Sequence, residues 1–272
     1  MLGFDNKTLV MGILNITPDS FFDGGESFLT ADAIARAEKM QAEGADIIDV
    51  GACSTAPNSA PVTQEEELNR LKRVLPALMK TLKVPVSIDT LSVGSAQYAL
   101  SLGVSIVNDE SGFFNPDMAE LVKKHNSGWV FMHTGGFSSK KAGVYKNGIV
   151  NEVSFFFKRM KAAAVDFGIS PDRLIFDYGI GFGKSRTDDL TLLDKTDVFV
   201  KEYPNLLVGV SRKRVIGEAV HEPEPENRLF GTLSANAIAV YKGASVLRVH
   251  DVKPAVDCIR MCNAIKKGMF DE

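Results

Sequence analysis

The chain lacks the features that mark a disulfide-stapled, membrane-spanning or nucleic-acid-coating protein. It holds only three cysteines, Cys53, Cys258 and Cys262, an odd count without the spacing of a disulfide framework. Cys258 and Cys262 stand four apart on an expected helix and share a face, but no nearby His or further Cys completes a metal set. No run of about 18 apolar residues occurs, so no transmembrane helix is expected. The N-terminal MLGFDNKTLV carries an early acid and no basic stretch ahead of an apolar one, so no signal peptide is expected and the compartment reads as cytoplasm. A basic tail is missing as well. Thirty-one basic against 34 acidic side chains give a formal charge of -3, which argues against a dedicated nucleic-acid binder. Low-complexity tracts and a composition break are also absent, so residues 1–272 are expected to form a single domain.

What is present is a repeating alternation. Short apolar runs end in a polar residue, and each is followed by a segment with helical spacing. Leu9 to Leu14 ends on Asn15 and opens a Pro-, Phe- and Gly-bearing loop, residues 17 to 25. The spacing predicts a helix over 31–44 and a second strand over 45–50, ending in the small-residue loop 51–57. A helix from about Thr63 to Leu82 follows, and Glu66 three residues after Thr63 has the form of a capping box. Further strands are expected over 84–89, 104–109, 128–133, 174–177, 206–210 and 245–250, separated by helices, among them 150–167, 188–203, 228–242 and one running to about Lys267. Eight alternations in roughly 250 residues point to a parallel sheet of TIM-barrel size. An open doubly wound sheet would gather its ligand groups at one crevice. Here Asn15, Asp49, Asp89, Asn108, His133, Asp177, Ser211, Arg248 and His250 close nearly every strand, and these make sense together only around one mouth. The expected fold is a (β/α)8 barrel.

The chemistry of that mouth is partly legible. Asp89, Asn108 and Asp177 are short, rigid acceptors, and buried carboxylates that converge require a cation or a donor-rich ligand between them. Lys213, just past the seventh strand, is the natural protein cation. A flat heterocycle with N–H groups beside a carbonyl would suit an Asp paired with a Lys. Arg248 and His250, two apart on one strand, share a face, and loops after strands seven and eight of such barrels often hold phosphate. Gly179-Ile-Gly-Phe-Gly-Lys184-Ser185 looks like a nucleotide phosphate loop, but Tyr178 stands where that pattern needs glycine, so triphosphate binding through it is rejected. The glycines instead suit a tight loop presenting Phe182 to an aromatic substrate.

Taken in order, MGILNITPDSFFDGG, GADIIDVGACST, VPVSIDT, IVNDESG, DYGIGFGK, LLVGVSRK and LRVHD resemble the dihydropteroate synthase family of pterin-binding barrels. The resemblance implies condensation of 6-hydroxymethyl-7,8-dihydropterin diphosphate with p-aminobenzoate, giving 7,8-dihydropteroate and diphosphate in folate biosynthesis. It implies a Mg2+ ion met by Asn15, and a pterin held by Asp89, Asn108, Asp177, Lys213 and Arg248. It further implies a diphosphate met by Asn15, Thr55, Arg248 and His250, with Asn15, Lys213, Arg248 and His250 carrying the catalysis. Pro18, Asp19, Phe21, Phe22, Thr55 and Phe182 would border p-aminobenzoate, and the assembly would be a homodimer with no nucleic-acid or membrane partner.

Two departures stand out. Ser54-Thr55-Ala56-Pro57 lacks the arginine usual in this motif, and Arg214 follows Lys213 where serine is frequent. Arg214 is therefore expected to help anchor the p-aminobenzoate carboxylate. The loss of a guanidinium at Ala56 keeps a non-catalytic pterin-binding paralogue in view. A methyltetrahydrofolate methyltransferase on a related barrel and a Schiff-base aldolase using Lys213 are further alternatives.

Overall fold

The computed structural model describes residues 7–16, 26–53, 62–135 and 145–268. Eight strands close into a parallel barrel in sequential order, the last pairing with the first. They are β1 (Leu9–Asn15), β2 (Ile47–Gly51), β3 (Val86–Asp89), β4 (Ile106–Asp109), β5 (Gly128–Met132), β6 (Leu174–Asp177), β7 (Leu206–Val208) and β8 (Val246–Val249). Between and after them lie α1 (Glu26–Ala42), α2 (Gln64–Thr81), α3 (Val93–Ser101), α4 (Pro116–His125), α5 (Ile149–Asp166), α6 (Arg186–Asp194), α7 (Thr196–Glu202), α8 (Arg214–Val220), α9 (Leu229–Tyr241) and α10 (Val252–Lys267). The expected TIM barrel is the observed fold.

Strand periodicity of two sorts every side chain to the barrel interior or to the helical layer. Met11, Ile47, Ile106, Val130, Ile175, Leu207 and Val246 fill the interior as one small buried cluster. Their neighbours Val10, Ile48, Val107, Trp129, Leu174 and Leu247 point outward into the larger core beneath the helices. The same parity carries the interior rows on to Asp49, Asp89, Asn108, Asp177 and Arg248, two residues further along each strand. Register then aligns them: Asn15 pairs with Gly51, Gly51 with Asp89, and Asp89 with Asn108. Neighbouring strands thus deliver their polar tips in one row at the C-terminal mouth.

Several boundaries differ from the sequence expectation. The helix expected over 188–203 starts earlier, at Arg186, where Ser185 and Asp188 form a reciprocal capping box, and is parted in two at Lys195, where Thr196 turns its hydroxyl onto Leu193 O. At Thr63 only half of the expected box exists. Thr63 Oγ1 accepts from Glu66 N, whereas the Glu66 carboxylate is taken by Arg70 at 2.8 Å. The turn after β7 continues into the short helix α8, for which the sequence spacing gave no expectation. Helix α1 starts at Glu26, earlier than the apolar spacing indicated.

Candidate active site at the barrel mouth

Arg248 organises the mouth. Its Nε lies 2.6 Å from Asp49 Oδ2, its Nη2 2.5 Å from Asp89 Oδ2 and its Nη1 3.7 Å from Glu110 Oε1. Asn108 donates Nδ2 to Asp49 at 3.1 Å, which leaves its carbonyl oxygen as an acceptor. Asp177 accepts from Gly179 N at 2.7 Å. Lys213 donates to Ile180 O at 2.7 Å and stands 4.6 Å above the Phe182 ring. These groups come from six strands or the segments that follow them, and they are buried or half-buried.

Four carboxylates (Asp49, Asp89, Glu110 and Asp177) therefore face two cations. Burial raises the Asp89 pKa well above its usual range, Glu110 adds to this, and Arg248 opposes it. Burial also raises Asp177, against Lys213 and the Gly179 N–H. Lys213 is lowered by burial, with Asp177 and Glu110 holding it up. For Arg248 burial works against the charge, but Asp49, Asp89 and Glu110 outweigh it and hold the guanidinium above its already high value. Such a pocket is complete only when a ligand brings further N–H donors to its acceptors.

His250 is held against Ser211. Ser211 Oγ accepts from the His250 backbone N–H at 3.2 Å and stands 3.1 Å from Nδ1. Burial, then Arg212 and Arg248, depress the ring pKa to about 4, which disfavours the imidazolium while no anion is bound. Arg212, in the turn after β7, is held by Asp251 at 2.6 Å. Arg214 opens α8, is exposed, and pairs with Glu218 at 3.1 Å. Among the described residues its ion pair points to α8 rather than to Asp177, Lys213 or Arg248.

The glycine loop after β6 is built around Lys184, the lysine of the rejected phosphate motif. Its buried Nζ donates to His133 O, Gly179 O and Phe182 O at 3.0, 2.8 and 3.1 Å. Burial lowers its pKa to about 7, against Asp189 and Asp177. Gly179 and Gly183 both have positive φ, and a Cβ at Gly183 would lie 2.3 Å from the Gly135 backbone. Only glycine permits that approach, and it carries Phe182 to its place beneath Lys213.

Asn15 lies at the rim of the row. A side chain at Gly51 would bring a carbon within 3.4 Å of Asn15 Oδ1 and 3.6 Å of Asp89 Oδ2, so an amide and a carboxylate oxygen flank one cleared point. Among the described residues no three His, Cys, Asp or Glu side chains gather as a metal cage. One or two hard oxygen donors suit a Mg2+ whose other ligands are phosphate oxygens and water.

Sequence reasoning missed two members of the mouth. Asp49 was noted at its strand end without a role. Glu110 went unnoticed, although it follows Asn108 by two and so shares its face. The intervening Asp109 points away, accepting from Ser111 N and Trp129 Nε1. Pro18, Asp19, Phe21, Phe22, Thr55 and Ala56 lie outside the described residues.

Residues 11–250 match the family model described as pterin binding enzyme. The chain is similar to a dihydropteroate synthase of Bacillus subtilis, 37% identical over 98% of this chain and 92% of the relative. It is similar to one of Synechocystis sp. as well, 36% identical over 97% of this chain and 92% of that protein. Among solved structures, the Xanthomonas albilineans dihydropteroate synthase with 4-aminobenzoic acid superposes with a TM-score of 0.90 at 36% identity, covering 97% of this chain and 94% of that one.

Proposed function

The chain belongs to the dihydropteroate synthase family of pterin-binding enzymes, and from that premise we propose how its own residues carry the family reaction. It is a transferase that joins 6-hydroxymethyl-7,8-dihydropterin diphosphate to p-aminobenzoate, releasing diphosphate. The observation that carries this is the ring of buried Asn108 and Asp177 with half-buried Asp89, Lys213 and Arg248, acceptor-rich on one side and cationic on the other.

The pterin places its amino group and ring N–H on the carboxylates, and its ring oxygen toward Lys213. Asp177 is fixed by Gly179 N and Asn108 by Asp49, so these acceptors are aimed before the substrate arrives. Arg248, with the Nε2–H of His250, meets the diphosphate at the strand-eight side of the mouth. Asn15 is the protein donor placed for Mg2+, with Asp89 beside it; bound there with the diphosphate, the ion would neutralise charge on the leaving group.

Breaking the C–O bond sends the electron pair to diphosphate and leaves a cationic exocyclic methylene, which the electron-rich ring stabilises. The arylamine lone pair then forms the C–N bond, and the amine proton leaves to solvent or diphosphate. The amine is neutral at pH 7, so no strong base is required. Positioning and preorganised charge supply the rate. Phe182, Thr55, Pro18, Asp19, Phe21 and Phe22 are assigned to the p-aminobenzoate side.

A homodimer is part of the same proposal. Phe230, Ile238 and Tyr241 on α9 and Met261 and Ile265 on α10 are exposed, and their spacing puts each set on one helical face. Two packed helices showing that much apolar surface suit a self-complementary interface.

The test is diphosphate release from the pterin diphosphate with Mg2+, with and without p-aminobenzoate, and with the product identified by mass. Release that depends on p-aminobenzoate and yields dihydropteroate is expected. Pterin binding without product would overturn the activity and leave a binding protein in its place.

A further inference from the structure

Among the described residues three that are not glycine have positive φ: Asn126, Arg212 and His221. Asn126 and His221 end helices α4 and α8, the ordinary place for a left-handed residue. Arg212, at φ 58°, ends no helix and stands in the turn between Ser211 and Lys213. Such a backbone persists only where its surroundings over-determine it, and here they do so from three sides. Arg212 N donates to Thr232 Oγ1 of α9 at 3.1 Å, and its carbonyl accepts from Arg228 Nη1 at 2.9 Å. Its guanidinium forks onto Asp251, with Nε 3.0 Å from Oδ2 and Nη2 2.6 Å from Oδ1.

Asp251 forgoes its own local role for this fork. It is the N-cap residue of α10 yet makes no side-chain cap hydrogen bond, although an aspartate there ordinarily accepts from the first-turn N–H groups. Both its oxygens go to Arg212 instead. Lys213 directly follows Arg212, and His250 directly precedes Asp251, two residues after Arg248. A second link runs beside the fork, from His250 N to Ser211 Oγ at 3.2 Å. The turn that carries Lys213 is therefore tied twice to the strand end that carries Arg248 and His250.

Resting on the pterin reading above, we propose that Arg212 and Asp251 are a positioning pair for the reaction. Their fork fixes the separation between Lys213, the cation that meets the pterin ring, and Arg248, the cation that meets the diphosphate. Both act through the residues they hold. A pterin alone engages one end of that span and diphosphate alone the other, so each tolerates a small drift of the turn. The pterin diphosphate spans both ends and does not, and neither does its transition state, where charge separates between ring and leaving group.

The test compares the whole substrate with its two parts. Asp251→Ser keeps a capping residue at the start of α10 but cannot reach Arg212. In it kcat/KM for the pterin diphosphate should fall about tenfold or more, the scale of a small misplacement of reacting groups. Calorimetric titration of the full chain with Mg2+ should find 6-hydroxymethyl-7,8-dihydropterin and inorganic diphosphate each bound as tightly as by the wild type. Arg212→Gly cuts the fork from the other side and suits the left-handed backbone. It should give the same split, and the double variant should be no worse than either single one. Arg212→Lys, which keeps the charge without the fork, should recover part of the loss. A merely structural role predicts otherwise: Arg212→Gly relieves the backbone and keeps activity, or kcat/KM and both affinities fall together with thermal stability. Either result, or losses that simply multiply in the double variant, overturns the proposal. Wild-type product analysis separates the two readings. Dihydropteroate from the wild type, with kcat/KM intact in both variants, removes only the positioning pair; a wild type that binds no pterin removes the pterin site and the pair's role with it.

Discussion

At the residue scale, the mouth works because short side chains on strands are aimed by their neighbours. Asp177 illustrates this, since its carboxylate takes Gly179 N and leaves the rest of its acceptor capacity for the ligand. Asp177→Ala should weaken pterin binding by about 1–3 kcal/mol for each donor left without an acceptor, with turnover falling in parallel; equilibrium binding of the pterin measures it. His133 gives a pH prediction of the opposite kind, about stability rather than binding. Its ring is buried with Nδ1 unpartnered among the described residues, and burial, with Lys184 nearby, lowers its pKa from the ordinary 6.5 to about 3. Between those values the unfolded chain binds a proton that the folded chain refuses. The contribution is therefore present above pH 6.5 and lost as pH falls toward 3, at up to about 1.4 kcal/mol per unit. Urea midpoints taken at pH 7, 6 and 5 should fall less steeply for His133→Asn than for the wild type.

At the element scale, the segment from Gly179 to Lys184 shows a loop made rigid from within. One ammonium binds three carbonyls, and the Gly135–Gly183 backbone contact locks the loop to the exit of β5. Lys184→Met leaves buried acceptors unmatched and should cost about 1–3 kcal/mol in urea unfolding. Gly183→Ala should destabilise too, because a Cβ cannot fit against Gly135. Both should raise the Michaelis constant for p-aminobenzoate, since Phe182 loses its seat under Lys213. Unchanged stability and kinetics in both variants would show that the loop is held by something else. The sequence exposed the glycines and excluded a nucleotide motif, but not that this lysine serves the backbone. Its partners come from β5 and from its own loop, and no local spacing encodes that meeting.

At the scale of the whole molecule, closure of the barrel turns eight separate strand tips into one site, and the apolar face of α9 and α10 makes the largest claim still to be tested. Phe230→Glu with Met261→Glu should shift the mass measured by light scattering from dimer to monomer. An unchanged mass would place any dimer contact elsewhere. The sequence alone determined the alternation of strand and helix, the barrel, the polar end of nearly every strand and the ordered motifs of the family, because periodicity and short motifs are local properties of a chain. Only the tertiary structure decided which side chains meet. It tied Arg248 to Asp49, Asp89 and Glu110, set His250 beside Ser211 with its ring pKa depressed by burial, and paired Arg214 with Glu218. Those outcomes depend on strand register and on how far burial strips water from each charge. Both are set by residues far apart in the sequence and brought together only when the barrel closes.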